Sequence, residues 1–198
     1  MTRRGWHRES ARHSLSARGV KTGTKKAWKK ATTPFKSAKE AEVTTSWKSK
    51  DFGAKLIISS KLVDEGIPHP WGEDDPEAAH MLHNKFKITV TNLDNKKKAS
   101  FDWYGSYDDY LNGVTKMDEH DILWAVAMWL EDASSASTQT FEGWAGDFGY
   151  DEEDTTKAER IYKALNKDAK KIDELLGPDY GADVWGMMGQ EIRAQIGE

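Results

Sequence analysis

The chain has no cysteine. Disulfides and thiolate zinc sites are therefore excluded, and a reducing cytoplasm is an acceptable home. Proline is scarce, with five in 198 residues. Three of them, Pro68, Pro70 and Pro76, fall close together, so the breakers of regular structure are concentrated in one loop. No apolar run approaches the ~20 residues that a membrane-spanning helix needs. The first thirty residues are basic but lack the apolar stretch of a secretory signal. The chain also has no Gly-rich phosphate loop, no nucleophile elbow and no His-Glu-x-x-His pair. Those absences point to a non-enzymatic protein with no cofactor, no resident metal and no membrane partner, working in the cytoplasm.

What the chain does have is large aromatics and a lopsided charge. Only 37% of residues are hydrophobic, yet there are nine Trp, six Tyr and six Phe, enough to build a core from few positions. Residues 1–50 carry 14 Lys and Arg against 3 acids, whereas residues 51–198 carry 15 against 30. A basic head on an acidic body is the asymmetry expected of a chain that meets nucleic acid or an acidic partner at one end.

The head predicts a short helix from Glu9 to Arg18, ended by Gly19. Residues 21–50 are rich in Lys, Thr, Ser and Ala, with isolated Trp28, Phe35 and Trp47. So little apolar surface does not offset the entropy of ordering. Residues 1–52 therefore read as a basic arm and residues 53–198 as an acidic α+β domain. Within the domain, 54–63 is strand-like and 64–82 reads as a long acidic loop with a helical turn around Pro76–Leu82. Residues 85–93 alternate, Phe86, Ile88 and Val90 on one face and Lys85, Lys87 and Thr89 on the other. Residues 99–106 return after an Asn-Lys turn, giving a hairpin and a small antiparallel sheet of about three strands. Helices are predicted over 117–133 with Asp118 as cap, over 138–149, over 155–176 with Gly177-Pro178 as stop, and over 184–196. Strands first and helices after is the pattern of three to four helices packed on one face of a sheet. The aromatics Trp124 or Trp129, Phe141, Trp144, Tyr150 and Tyr162 are expected to share one core with Ile88 and Phe101.

Three groups of residues carry candidate chemistry. The first is the acidic knot Asp147, Asp151 and Asp154. As an EF-hand loop started at Asp147 it fails, with Gly149, Glu152 and Ala158 where acid, glycine and glutamate are required. A carboxylate pair for metal-dependent hydrolysis remains open, against the plainer reading of helix capping by Asp154 or by Thr156 with Glu159. The second is Glu77, His80 and His83, which on a helix would share a side and could hold Zn²⁺ or Ni²⁺. The third is the basic set. Arg3, Arg4, Arg8, Arg12, Arg18, Lys21, Lys25, Lys26, Lys29 and Lys30 are interleaved with Trp6 and Trp28, and the hairpin adds Lys85, Lys87, Lys96, Lys97 and Lys98. Cations neutralise phosphates and exposed rings stack on bases, so this set predicts RNA or DNA contact. The alternative is a solvated tail tethered to its own acidic body.

Phe141, Glu142, Trp144, Gly149, Tyr150, Asp151, Asp154, Thr155, Lys157, Ala158 and Tyr162 trace an F-E-x-W … G-Y-D step into a K-A-x-x-x-Y helix. This stretch is similar to the C-terminal signature of a group of small phage and prophage proteins, and the resemblance covers about residues 54–177. Ala145 stands where many members have cysteine, and the acidic loop 64–82 is longer. Trp6, Glu9, Arg12 and His13 resemble the W-x-x-E-x-x-R-H head of many archaeal and viral open reading frames. The resemblance implies origin and no activity: an accessory protein of a virus or mobile element in a prokaryotic host. On that footing the expectation is a protein that binds and inhibits or modulates a host protein or ribonucleoprotein complex, including defence machinery. A nucleic-acid-binding protein is the alternative.

Overall fold

The structure, a computed structural model, describes residues 42–70, 81–150 and 155–198. The order of elements is β1 (Val43–Lys48), β2 (Lys55–Pro68), β3 (Leu82–Asn92), β4 (Lys98–Tyr104), α1 (Tyr107–Leu111), α2 (Glu119–Thr138), α3 (Phe141–Phe148), α4 (Thr155–Leu176) and α5 (Ala182–Ile196). The strands form one antiparallel sheet in the order β1-β2-β3-β4. The class is α+β.

The sheet has four strands rather than three. β1 lies inside the segment read as arm, and the compact unit runs from Ala41 to Glu198 rather than from residue 53. The reason is visible in Val43-Thr-Thr-Ser-Trp-Lys48: of these, only Trp47 is fully buried. An edge strand needs few apolar residues, and β-branched Val and Thr suit it. β2 also runs five residues past 63, into the predicted loop. Its register slips between Leu62 and Asp64 and again between Asp64 and Ile67. Gly66 turns there with φ +63°. Asn84, 2% exposed, holds this bulge from β3: its Oδ1 accepts from the Gly66 N–H at 3.3 Å and its Nδ2 donates to the Val114 carbonyl at 2.8 Å.

Strand alternation decides which face is covered. Leu56, Ile58 and Leu62 of β2, Phe86, Ile88 and Val90 of β3, and Ala99 and Phe101 of β4 are buried beneath Ile122, Val126, Leu130, Ile172, Met188 and Ile192 of the helices. Phe101 stacks on Trp129 with ring centroids 4.6 Å apart. Helix α2 begins where expected: Asp118 Oδ1 accepts from the Asp121 N–H at 2.9 Å, and Asp121 reaches back to the Asp118 N–H. The turn between β3 and β4 is tied to the last turn of α4, because Asn92 and Asn95 both donate side-chain N–H to the Leu175 carbonyl.

The aromatics do not share one core. Trp144, fully buried, gathers Phe148, Tyr150 and Tyr162 at 4.9–5.5 Å in a second cluster with Ala136, Ala158 and Ile161. That cluster is built on the last turns of α2 and the first turns of α4, while Ile88, Phe101 and Trp129 belong to the first core. A helix as short as α3 gives its aromatics no reach to the sheet.

Candidate nucleic-acid interface

Among the described residues no helix lies over the second face of the sheet. Residues between the buried ones in β1 to β4 form rungs running across the four strands. Lys48 pairs with Lys55. The next rung is Ser46, Ile57, Thr91 and Lys98. Then come Thr44, Ser59, Thr89 and Ser100, four hydroxyls in a row, with Thr89 and Ser100 hydrogen-bonded at 2.9 Å. Lys61, Lys87 and Asp102 follow, and last Asp64, Lys85 and Tyr104. The face thus holds six lysines, Lys48, Lys55, Lys61, Lys85, Lys87 and Lys98, against Asp64 and Asp102. Lys96 and Lys97 stand exposed in the adjoining turn.

Lys85 and Lys55 are partly engaged, and Lys61 is not free either. Lys85 binds Asp102 at 2.8 Å and lies 5.9 Å above the Tyr104 ring. The Asp102 hydrogen bond raises the Lys85 pKa, with burial opposing it. Burial pushes the Tyr104 phenol up in turn, against the pull of Lys85. Lys55 lies 3.8 Å from Asp94. These pairs are at least partly solvated, so they hold the side chains only loosely. At one end of the face, His69 packs between Tyr104 at 4.8 Å and His83 at 5.3 Å, and His83 Nδ1 bonds the Gly105 carbonyl at 2.7 Å.

The other sequence candidates fare differently. Lys85 and Lys87 lie on the open face, as the alternation required, and Lys98, expected at the turn, joins them from the start of β4. Lys48, Lys55 and Lys61 join them unforeseen, although Lys55-Leu-Ile-Ile-Ser-Ser-Lys61 already alternates. The basic and aromatic residues from Arg3 to Lys30 lie outside the described residues. So do Glu77, His80, Asp151 and Asp154. His83 sits in a strand, so the helical spacing assumed for Glu77, His80 and His83 does not apply to it. Asp147 is exposed on α3. Helix α4 opens at Thr155, so Thr156 lies inside the helix and not at its cap.

One further cluster, Asp118, His120 and Asp121, brings ligand atoms within 4.8 Å of one another. Its carboxylates already serve the α2 capping box, and His120 lies 3.6 Å from Glu198. Two shallow depressions of about 500 and 490 Å³ lie against α4 and α5 and against β1 and α2. Neither surrounds a convergent acid–base pair. Among the described residues no helix is long and apolar enough to cross a membrane. No family model, curated protein or solved structure matches the chain.

Proposed function

We propose that the protein binds nucleic acid on the open face of its sheet, with the basic head adding further cations. The observation that carries this reading is the register itself, which gathers six lysines from four strands onto the face that no described helix covers. Between them stand Ser and Thr hydroxyls, which bond phosphate oxygens. Such contacts favour any sequence alike, and their strength falls with salt as counterions return. The test is a titration of the full chain against a quadruple Lys55→Glu, Lys61→Glu, Lys87→Glu, Lys98→Glu variant at several salt concentrations. Four lost phosphate contacts flatten the slope of log K against log salt by about 3–4, at roughly 0.9 per contact. An unchanged slope, in a variant that melts like the wild type, removes the face from the proposal.

A second reading is favoured by the opposite layer. From residue 105 onward the described residues carry 17 acids against 8 Lys and Arg. An accessory protein of a virus or mobile element could use that acidic side to occupy a basic host protein, cytoplasmic and without catalysis. Capture of host proteins by the tagged full chain, with and without nuclease, separates the readings. A specific protein retained after nuclease treatment supports this one, and retention of nothing removes it.

A further inference from the structure

The open face carries a further inference about its occupant, which rests on the nucleic-acid reading above. Its cations are not spread evenly. Lys48, Lys55 and Lys98 lie in the first two rungs and Lys61, Lys87 and Lys85 in the last two, with the row Thr44, Ser59, Thr89 and Ser100 between. Along β2, Lys55 and Lys61 are six residues apart, roughly 20 Å at ~3.3 Å per residue. Along β3, the position opposite Lys98 is four residues from Lys87, roughly 13 Å on the same rise. Two cationic bands about 13–20 Å apart suit the two phosphate strands that border one groove of a duplex, the major groove of B-DNA being about 12 Å wide.

The same face is poorly made for a single strand. Sheet surfaces that read unpaired bases present aromatic rings for stacking. Here every Trp and Phe of the four strands, Trp47, Phe86, Phe101 and Trp103, belongs to or packs against the core under the helices. Among the described residues the rings on the open side are gathered at one end of the face: Tyr104, half-buried beneath Lys85, with His69 and His83 beside it. The middle of the face offers only hydroxyls and Ile57. Four strands at ~4.8 Å spacing also make a surface roughly 14 Å broad, too wide to enter a groove that admits a helix or a two-stranded ribbon. Base edges stay out of reach.

We infer that the sheet face seats a double-stranded nucleic acid, one phosphate strand on each lysine band and the hydroxyl row facing the groove between them, without reading its sequence. Two paired variants of the full chain test this, Lys48→Glu with Lys55→Glu and Lys61→Glu with Lys87→Glu. The probes are a duplex DNA and a duplex RNA of ~20 base pairs, about two helical turns, and their separated strands. The expected result is tighter binding of a duplex than of either strand. Each paired variant should also flatten the duplex salt slope by about 1.8, from two contacts at ~0.9 each. The two duplexes tell B-form from A-form preference. Strands that bind as tightly as their duplex overturn the duplex inference and leave the nucleic-acid reading standing. Folded paired variants that bind duplex like the wild type overturn the seating on the bands. Absence of binding to every probe overturns the nucleic-acid reading, and this inference with it.

Discussion

Asp132 has its pKa moved far, to about 7. Burial pushes it up first, and the neighbouring Glu131 charge adds to it. The residue is half-buried on α2. In the unfolded chain the same group titrates near ~3.9. Between those values the folded state holds the proton and the unfolded state does not, so stability falls as pH rises through this window. Asp132→Asn removes the penalty. It should raise stability at pH above 7 by about 1–2 kcal/mol after allowance for solvent screening and change little near pH 4. Urea melts at both ends of the window check this, and equal gains at both ends would assign the effect to something other than the proton. Lysine positions were more legible than this. The alternation of Phe86, Ile88 and Val90 with Lys85 and Lys87 is written in adjacent residues. Asp132 sits in a plain Leu-Glu-Asp-Ala stretch, and nothing in its neighbours along the chain announces its burial.

At the scale of elements, the two glycines of α5 read in the sequence as weak points in a helix. The structure gives them a use. A Cβ on Gly189 would come 2.6 Å from Glu131 Cγ and 2.8 Å from the Ala127 carbonyl, and one on Gly186 would meet Ser134 Oγ at 2.8 Å. α5 therefore crosses α2 at close range, and Arg193 reaches Glu131 at 3.3 Å and lies 5.3 Å from the Trp124 ring. Helix propensity alone would favour Gly189→Ala by about 1 kcal/mol. The clash with backbone opposes it by about 1–3 kcal/mol, so a net loss is expected. At Gly186 the obstacle is a serine hydroxyl that can rotate away, so Gly186→Ala should be neutral or stabilising. The melting temperature should fall for Gly189→Ala and hold or rise for Gly186→Ala, and equal shifts would show that the crossing is not tight. Helix α4 was legible to its ends because its apolar stripe repeats over 22 residues. β1 was not, since an edge strand with one buried side chain carries no such repeat. The hydroxyl row was illegible for a further reason: Thr44, Ser59, Thr89 and Ser100 become neighbours only through the register of three strand pairs.

At the scale of the whole domain, the lysine face and the acid-rich helices stand on opposite sides of one sheet. Consider what this does to copies lying side by side on a long polyanion. On the proposed seating each copy covers phosphate with its cationic side and presents an anionic side outward. The coat therefore keeps the sign of the polymer beneath it, and neighbouring copies repel through those outer surfaces within a Debye length of ~8 Å. Binding isotherms on long DNA should show little or negative cooperativity at low salt, and light scattering should stay low as sites fill. Steep cooperative filling with precipitation would mean that the outer charge is not exposed in the bound state. On the proposed seating, copies of this protein would dress a duplex from end to end and leave it dispersed, with no tendency to draw separate molecules together.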